Sequence, residues 1–139
     1  MVVMGLDYGE RRLGVAVCDE LGIAAHALPA VERDGNELDR LARIIEERVV
    51  ECIVVGLPIR MDGTEGRQAQ KVRRFAAKLR KRLPELEVEL VDERLSSAQA
   101  HSALSQMGAG SRRRREAVDG MAAQIILQRY LGRRRSEGP

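Results

Sequence analysis

The stretch Met4–Val17, MGLDYGERRLGVAV, decides the fold, because it places one acid where an apolar strand ends and a basic turn begins. Val2 to Leu6 reads as a strand ending at Asp7. Gly9 permits a tight reversal, and Leu13 to Val17 is apolar enough to be the antiparallel partner. Asp7 then stands at the mouth of a sheet, close to a backbone turn and to Arg11 and Arg12. Alone, the acid has two readings: a turn initiator, as Asp often is, or a functional carboxylate.

Working outward, Ile23 to Val31 has the length of a third strand, with Pro29 more comfortable near an edge than in a sheet interior. From Leu38, apolar residues Leu41, Ala42, Ile45 and Val49 recur at helical spacing with charge between them. Glu51 to Leu57, ECIVVGL, is a continuous apolar run rich in β-branched residues, as expected of a parallel strand buried on both faces. The loop PIRMDGTEG (Pro58 to Gly66) follows, at a strand end where α/β sheets commonly carry function. Arg67 to Leu83 is an amphipathic helix with Val72, Phe75, Ala76, Leu79 and Leu83 inward. Glu87 to Asp92 alternates like a half-buried strand and runs directly into Asp92, Glu93 and Arg94. Ser96 and Gln99 have capping-box spacing for another helix, which Gly108 and Gly110 end. Ser111 to Arg115 reads as a basic connector, and the last helix starts near Arg115. Asp119 shares a side of that helix with Ala122, Ala123, Ile126 and Tyr130, so it points along a packing face. The expected architecture is α/β: a mixed five-stranded sheet, three antiparallel hairpin strands followed by two parallel ones, flanked by helices. Residues 1–131 form a single domain and 132–139 a short, frayed basic tail.

The 139 residues are 44% hydrophobic and 32% charged, a soluble, globular balance. No apolar run approaches the ~20 residues that span a bilayer, and the N-terminus has no signal-peptide pattern, so a cytoplasmic protein is expected. Cys18 and Cys52 lack metal-ligand spacing and fall in strands, where buried reduced thiols are the simple reading. The net charge of +3 hides a segregation: residues 1–66 carry −6, 67–83 +8, 84–110 −4 and 111–139 +5. Two basic blocks suggest a polyanion such as nucleic acid. With only two Tyr and one Phe, its phosphates rather than its bases would be held.

In this order of elements Asp7 ends the first strand, Glu93 follows the last and Asp119 opens the final helix, so three distant acids can meet at one edge. Such a group is costly unless a cation occupies it. Oxygen ligands without His or Cys select a hard ion, Mg²⁺ or Mn²⁺. Two such ions, roughly 3.5–4 Å apart, can activate water and stabilise the leaving oxygen in phosphodiester cleavage. Successive strand side chains face opposite ways, so only one of Asp92 and Glu93 reaches the site directly; Glu93 is favoured, with Asp92 the alternative. Arg94 has two readings, orienting a phosphate or pairing with an acid.

Four motifs, LDYGERRLGVAV, VVGLPIRMDGTEG, VDERLSS and VDGMAAQIILQRYL, occur in order and span nearly the whole chain. Together they resemble the YqgF family of RNase H-like proteins, described as Holliday junction resolvases and as nucleases maturing the precursor of small-subunit ribosomal RNA. The resemblance implies an RNase H-like fold, a catalytic, metal-binding triad of Asp7, Glu93 and Asp119, and a cytoplasmic role in ribosome biogenesis. The expected partner is structured RNA, within ribosomal precursor particles, with branched DNA second; monomer and homodimer both remain open. A nucleic-acid-binding assembly factor with little catalysis is the competing reading. Candidate phosphate contacts are Arg11, Arg12, Arg67, Lys71, Arg74, Arg94, Arg112, Arg113, Arg114 and Arg115. One departure is visible: the family often has Thr after Asp-Tyr-Gly, where this chain has Glu10, which puts a phosphate role for that position in doubt.

Overall fold

The structure is a computed structural model that describes residues 1–93 and 111–137, the latter without the side chains of residues 111–119 and 136–137. Among these residues, β1 (Val3–Tyr8), β2 (Arg12–Cys18), β3 (Ala25–Glu32), α1 (Glu37–Arg48), β4 (Cys52–Leu57), α2 (Arg67–Arg82), β5 (Glu87–Asp92) and α3 (Ser111–Glu137) follow in chain order. The five strands form one sheet in the order β3-β2-β1-β4-β5. β1 pairs antiparallel with β2 and parallel with β4; β2–β3 is antiparallel and β4–β5 parallel. This is the mixed sheet the strand patterns predict.

Alternation along β1 divides the protein into two layers. Met4 and Leu6 join Leu13, Val15, Ile53 and Val55 in a core covered by α1 and α2, through Leu41, Ile45, Val72 and Leu79. Val3, Ala16 and Val54 belong to a second core, under Ala123, Ile126 and Leu127 of α3. Burial of each such aliphatic side chain contributes roughly 1.5–3 kcal/mol, so two covered faces hold the central strand firmly. β4 is buried along its whole length, as its unbroken apolar run requires. At the edge of the sheet, Pro29 of β3 lies where the register with β2 shifts: Leu13 faces Val31 while Val15 faces Leu28. A proline there forfeits no ladder bond in the sheet interior.

The third strand begins at Ala25 rather than Ile23, which is exposed, and ends at Glu32; three helix boundaries also differ from the sequence expectations. The helix expected to bury Val49 ends at Arg48; Val49 adopts a left-handed conformation (φ 55°) and is 69% exposed, while Val50 turns inward. The reversal is closed by the Val50 N–H donating to the Ile45 carbonyl at 3.0 Å. Ser111 to Arg115, expected as a connector, is already helical, consistent with the good helix propensity of arginine. The tail expected to fray continues α3 to Glu137, where the Arg134 guanidinium packs 5.7 Å from the centre of the Tyr130 ring. A single helical glycine, Gly132, costs about 1 kcal/mol, which does not stop it. The helix expected from Ser96 lies outside the described residues.

A β-branched residue in the left-handed region is strained by about 1–2 kcal/mol, partly offset in any glycine replacement by a more flexible unfolded chain. Val49→Gly is therefore expected to stabilise the fold by roughly 0.5–1 kcal/mol, read as a higher midpoint in urea unfolding with an unchanged m-value.

Candidate active site

Asp7 and Glu93 come together at the C-terminal edge of the sheet, on the side covered by α3. Asp7 pairs with Gly14 of β2, and as an odd-numbered residue of β1 it shares a face with Val3 and Gly5. Glu93 follows β5 directly; its N–H donates to the Leu57 carbonyl at 3.1 Å, extending the parallel ladder by one residue. Its side chain lies across Gly56 of β4. A Cβ on Gly56 would stand 2.7 Å from Glu93 Oε2, 2.9 Å from its Cδ and 2.5 Å from Ile126 Cδ1. The glycine is thus a matter of room, and the absent side chain is the cradle of the carboxyl group.

Burial drives the Glu93 pKa far above the ordinary carboxylate range; the negative charge of Asp7, a hydrogen bond with it and the charge of Asp92 add to the effect, while Arg129 opposes it. The protonated Glu93 donates to the Asp7 carboxylate, and its Oε2 is buried with no hydrogen-bond partner among the described residues. A buried orphan oxygen carries a penalty of about 1–3 kcal/mol. Two carboxyl groups that share a proton, one with an unused oxygen, are a donor set that fits a divalent cation. Asp92 is exposed and acts on Glu93 through space.

Asp119 lies on α3, one turn before Ala123, whose carbonyl oxygen comes within 2.9 Å of a Cβ placed on Gly5, and two turns before Ile126, which touches the Gly56 cradle. Its side chain, like those of Arg112, Arg113, Arg114 and Arg115, is outside the described set, as is all of Arg94. Arg11 and Arg12 flank the β1–β2 turn. That turn is closed by the Gly9 N–H donating to the Arg12 carbonyl at 3.1 Å, and a Cβ at Gly9 would lie 2.5 Å from the same oxygen. Arg67, Lys71 and Arg74 are exposed on α2, across the sheet from α3, so the two basic blocks occupy helices on opposite faces.

Arg33 was not singled out by sequence reasoning, yet it holds the turn in place. Its guanidinium donates to the Gly9 and Glu10 carbonyls at 2.8 and 2.7 Å and to the Tyr8 hydroxyl, stacking 4.2 Å from the centre of that ring. Gly56 was missed too, although a glycine within a run of buried β-branched residues signals close approach by another group. A second group, Cys52, Glu87 and Glu89, has potential ligand atoms within 4.8 Å of one another at the opposite end of β4 and β5. Glu89 there accepts a 2.7 Å hydrogen bond from the Tyr130 hydroxyl, and burial pushes the Cys52 thiol up to about 11, so it stays protonated. That group is a polar packing contact between α3 and the sheet.

A 3-2-1-4-5 mixed sheet, helices on both faces and a carboxyl pair at the C-terminal ends of β1 and β5 define the class: a nuclease of the RNase H-like fold. Residues 1–133 match the family described as "RuvX: Holliday junction resolvase". The chain belongs to that family. It is 47% identical over 133 residues to a protein of Syntrophus aciditrophicus (strain SB) named "Putative pre-16S rRNA nuclease", covering 94% of this chain and 88% of that one. A protein of the same name from Geobacillus kaustophilus (strain HTA426) is 46% identical over 139 residues, covering 97% and 100%. Among solved structures, "T. thermophilus RuvC in complex with Holliday junction substrate" superposes with a TM-score of 0.58 at 20% identity, over 98% of this chain and 96% of that one, a likeness of fold.

Two outcomes test the geometry. Because Glu93 is raised above its unfolded value near 4.5, the metal-free fold holds a proton that the unfolded chain releases, so stability in EDTA should fall as pH rises from that value through the neutral range. Glu93→Gln, which keeps a donor toward Asp7 without the charge, should flatten this dependence and raise Tm at neutral pH by roughly 2–5 °C, measured by calorimetry. Gly56→Ala should lower Mn²⁺ affinity about 10- to 100-fold in isothermal titration. The companion Gly56→Ala with Ile126→Val relieves the aliphatic clash and should restore folding stability without restoring the affinity.

Proposed function

We propose that the chain is a metal-dependent endonuclease that processes the precursor of 16S rRNA, with Asp7, Glu93 and Asp119 as its catalytic carboxylates. The observation that carries this reading is the Glu93 carboxyl, buried over Gly56 against Asp7 with one oxygen that has no hydrogen-bond partner among the described residues. Asp7 and Glu93, with Asp119 from α3, would hold Mg²⁺ or Mn²⁺. The ion's chemistry there is Lewis-acid activation of the attacking water and neutralisation of charge on the leaving oxygen. The chain's own residues do the rest. To hold the ion, Asp7 and Glu93 would first have to release the proton between them to solvent. The turn clamped by Arg33 keeps Asp7 at a fixed place on the edge, and the Arg11 and Arg12 side chains beside that turn attract the phosphodiester backbone. Arg67, Lys71 and Arg74, together with Arg94 and the cations of residues 112–115, extend the attraction along the substrate.

The names of the similar bacterial proteins favour RNA and the family description favours four-way DNA; the closeness of those relatives over nearly their full length makes precursor rRNA the first choice. The work would be done in the cytoplasm, on ribosomal precursor particles. No helix among the described residues is long and apolar enough to cross a membrane. One protomer suffices for an RNA cut, whereas symmetric cutting of a junction calls for a homodimer.

Cleavage of a structured precursor RNA and of a four-way DNA junction, by wild type and by Asp7→Asn, in Mg²⁺, Mn²⁺ or EDTA, tests the proposal. The expected result is cutting of the RNA by wild type with either ion and only background cutting by Asp7→Asn or in EDTA. Undiminished activity in Asp7→Asn or in EDTA sinks the carboxylate–metal reading, and faster cutting of the junction replaces RNA by DNA as substrate.

A further inference from the structure

Across the sheet from Asp7 and Glu93 lies a groove of about 650 Å³ between α2 and the segment joining β3 to α1. It begins at Tyr8. That residue directly follows Asp7 in β1, points to the opposite face, and packs against Phe75 of α2 with 4.7 Å between ring centres. Lys71, Arg74 and Lys78 line one wall, at positions i, i+3 and i+7 of α2, so they form one stripe of the helix. All three are exposed, and among the described residues none has an acidic partner: the ion pairs of α2 engage Arg73 with Glu65 and Arg82 with Asp39 instead. Of the two acids on the lining, Glu37 accepts a hydrogen bond from the Gly35 N–H at 2.8 Å, and Glu10 belongs to the β1–β2 turn. With Arg33 the lining carries four cations against two acids, so a net positive charge remains.

We propose that this groove holds a single-stranded flank of the nucleic-acid substrate by its phosphates, an inference that rests on the nuclease reading for the position of the cut. A cavity of this volume takes in a few nucleotides of one strand and no duplex. The faces of the Tyr8 ring are occupied by Arg33 and Phe75, so no base stacks there and recognition is indifferent to sequence. Lys71 to Lys78 spans about 10.5 Å along the helix axis. Three cations over that length can face about three successive phosphates of one strand. Because Asp7 and Tyr8 are neighbours, a strand leaving the carboxyl pair needs only to pass over the β1–β2 turn to enter. The enzyme would then grip the boundary between paired and unpaired substrate.

Binding in EDTA separates this inference from cleavage. Fluorescence anisotropy would compare an RNA hairpin carrying a single-stranded tail with the same hairpin lacking it. The proteins are wild type, the charge reversal Lys71→Glu/Arg74→Glu/Lys78→Glu, its neutral counterpart with Gln at the three positions, and a control reversal of equal charge, Arg43→Glu/Arg48→Glu/Lys81→Glu. Wild type and control should prefer the tailed hairpin by about tenfold or more; the neutral groove variant should lose that preference and about 2 units of log–log salt slope, as three strand phosphates would predict. Circular dichroism checks that the groove variants fold, and the neutral variant decides if the reversal does not. A tail preference that survives in the neutral variant, that vanishes equally in the control, or that wild type never shows overturns the proposal. Failure here leaves cleavage and its Asp7 dependence untouched, whereas loss of the nuclease reading shows in the cleavage assay with binding intact.

Discussion

The close approach of α3 to the sheet is the constraint on which the rest of the molecule depends. At Gly5 a side chain would come within 2.9 Å of the Ala123 carbonyl and the Leu127 Cβ, and at Gly56 it would strike Ile126 and Glu93. Small residues on both partners let the helix lie directly on β1 and β4, and the carboxyl pair stands at the C-terminal ends of β1 and β5, on either side of β4. The same contact that builds the second core thereby covers the inner oxygen of the Glu93 carboxyl, Oε2. Packing and acid chemistry are one arrangement seen from two sides.

That arrangement sets stability against activity. A carboxyl group buried beside another acid is held protonated, and among the described residues its inner oxygen lacks the partner that most buried polar atoms have. The remainder of the fold compensates: β4 is buried from end to end, the β1–β2 turn is tied down by Arg33, and aliphatic layers cover both faces of β1. Rigid surroundings of this kind can hold an unfavourable group in place for the use to which it is put.

Much of this was legible in the sequence because it rests on period and punctuation. The apolar hairpin around Gly9, the unbroken β4 and the alternation in Glu87 to Asp92 follow from which side chains must be buried, and the strands lie where those patterns put them. The meeting of Asp7 and Glu93 was anticipated from strand ends, since parallel β1, β4 and β5 bring their C-termini to one edge. Helix ends were harder. Val49 fits the apolar spacing of α1, yet the chain turns one residue earlier because Val50 is the better-placed residue to bury. Contacts between residues distant in sequence were not legible at all: nothing local marks Arg33 as the clamp on a turn more than twenty positions away, or Tyr130 as the donor to Glu89. Such pairs exist only once the sheet order is known.

The irregular edge strand has a further consequence. With Pro29 lacking an N–H at the point where the ladder with β2 slips, β3 offers a broken row of donors to any strand that approaches from outside. A sheet interrupted in this way is a poor template for strand addition, which guards the protein against edge-to-edge aggregation on that flank at the high local concentrations of a crowded cell.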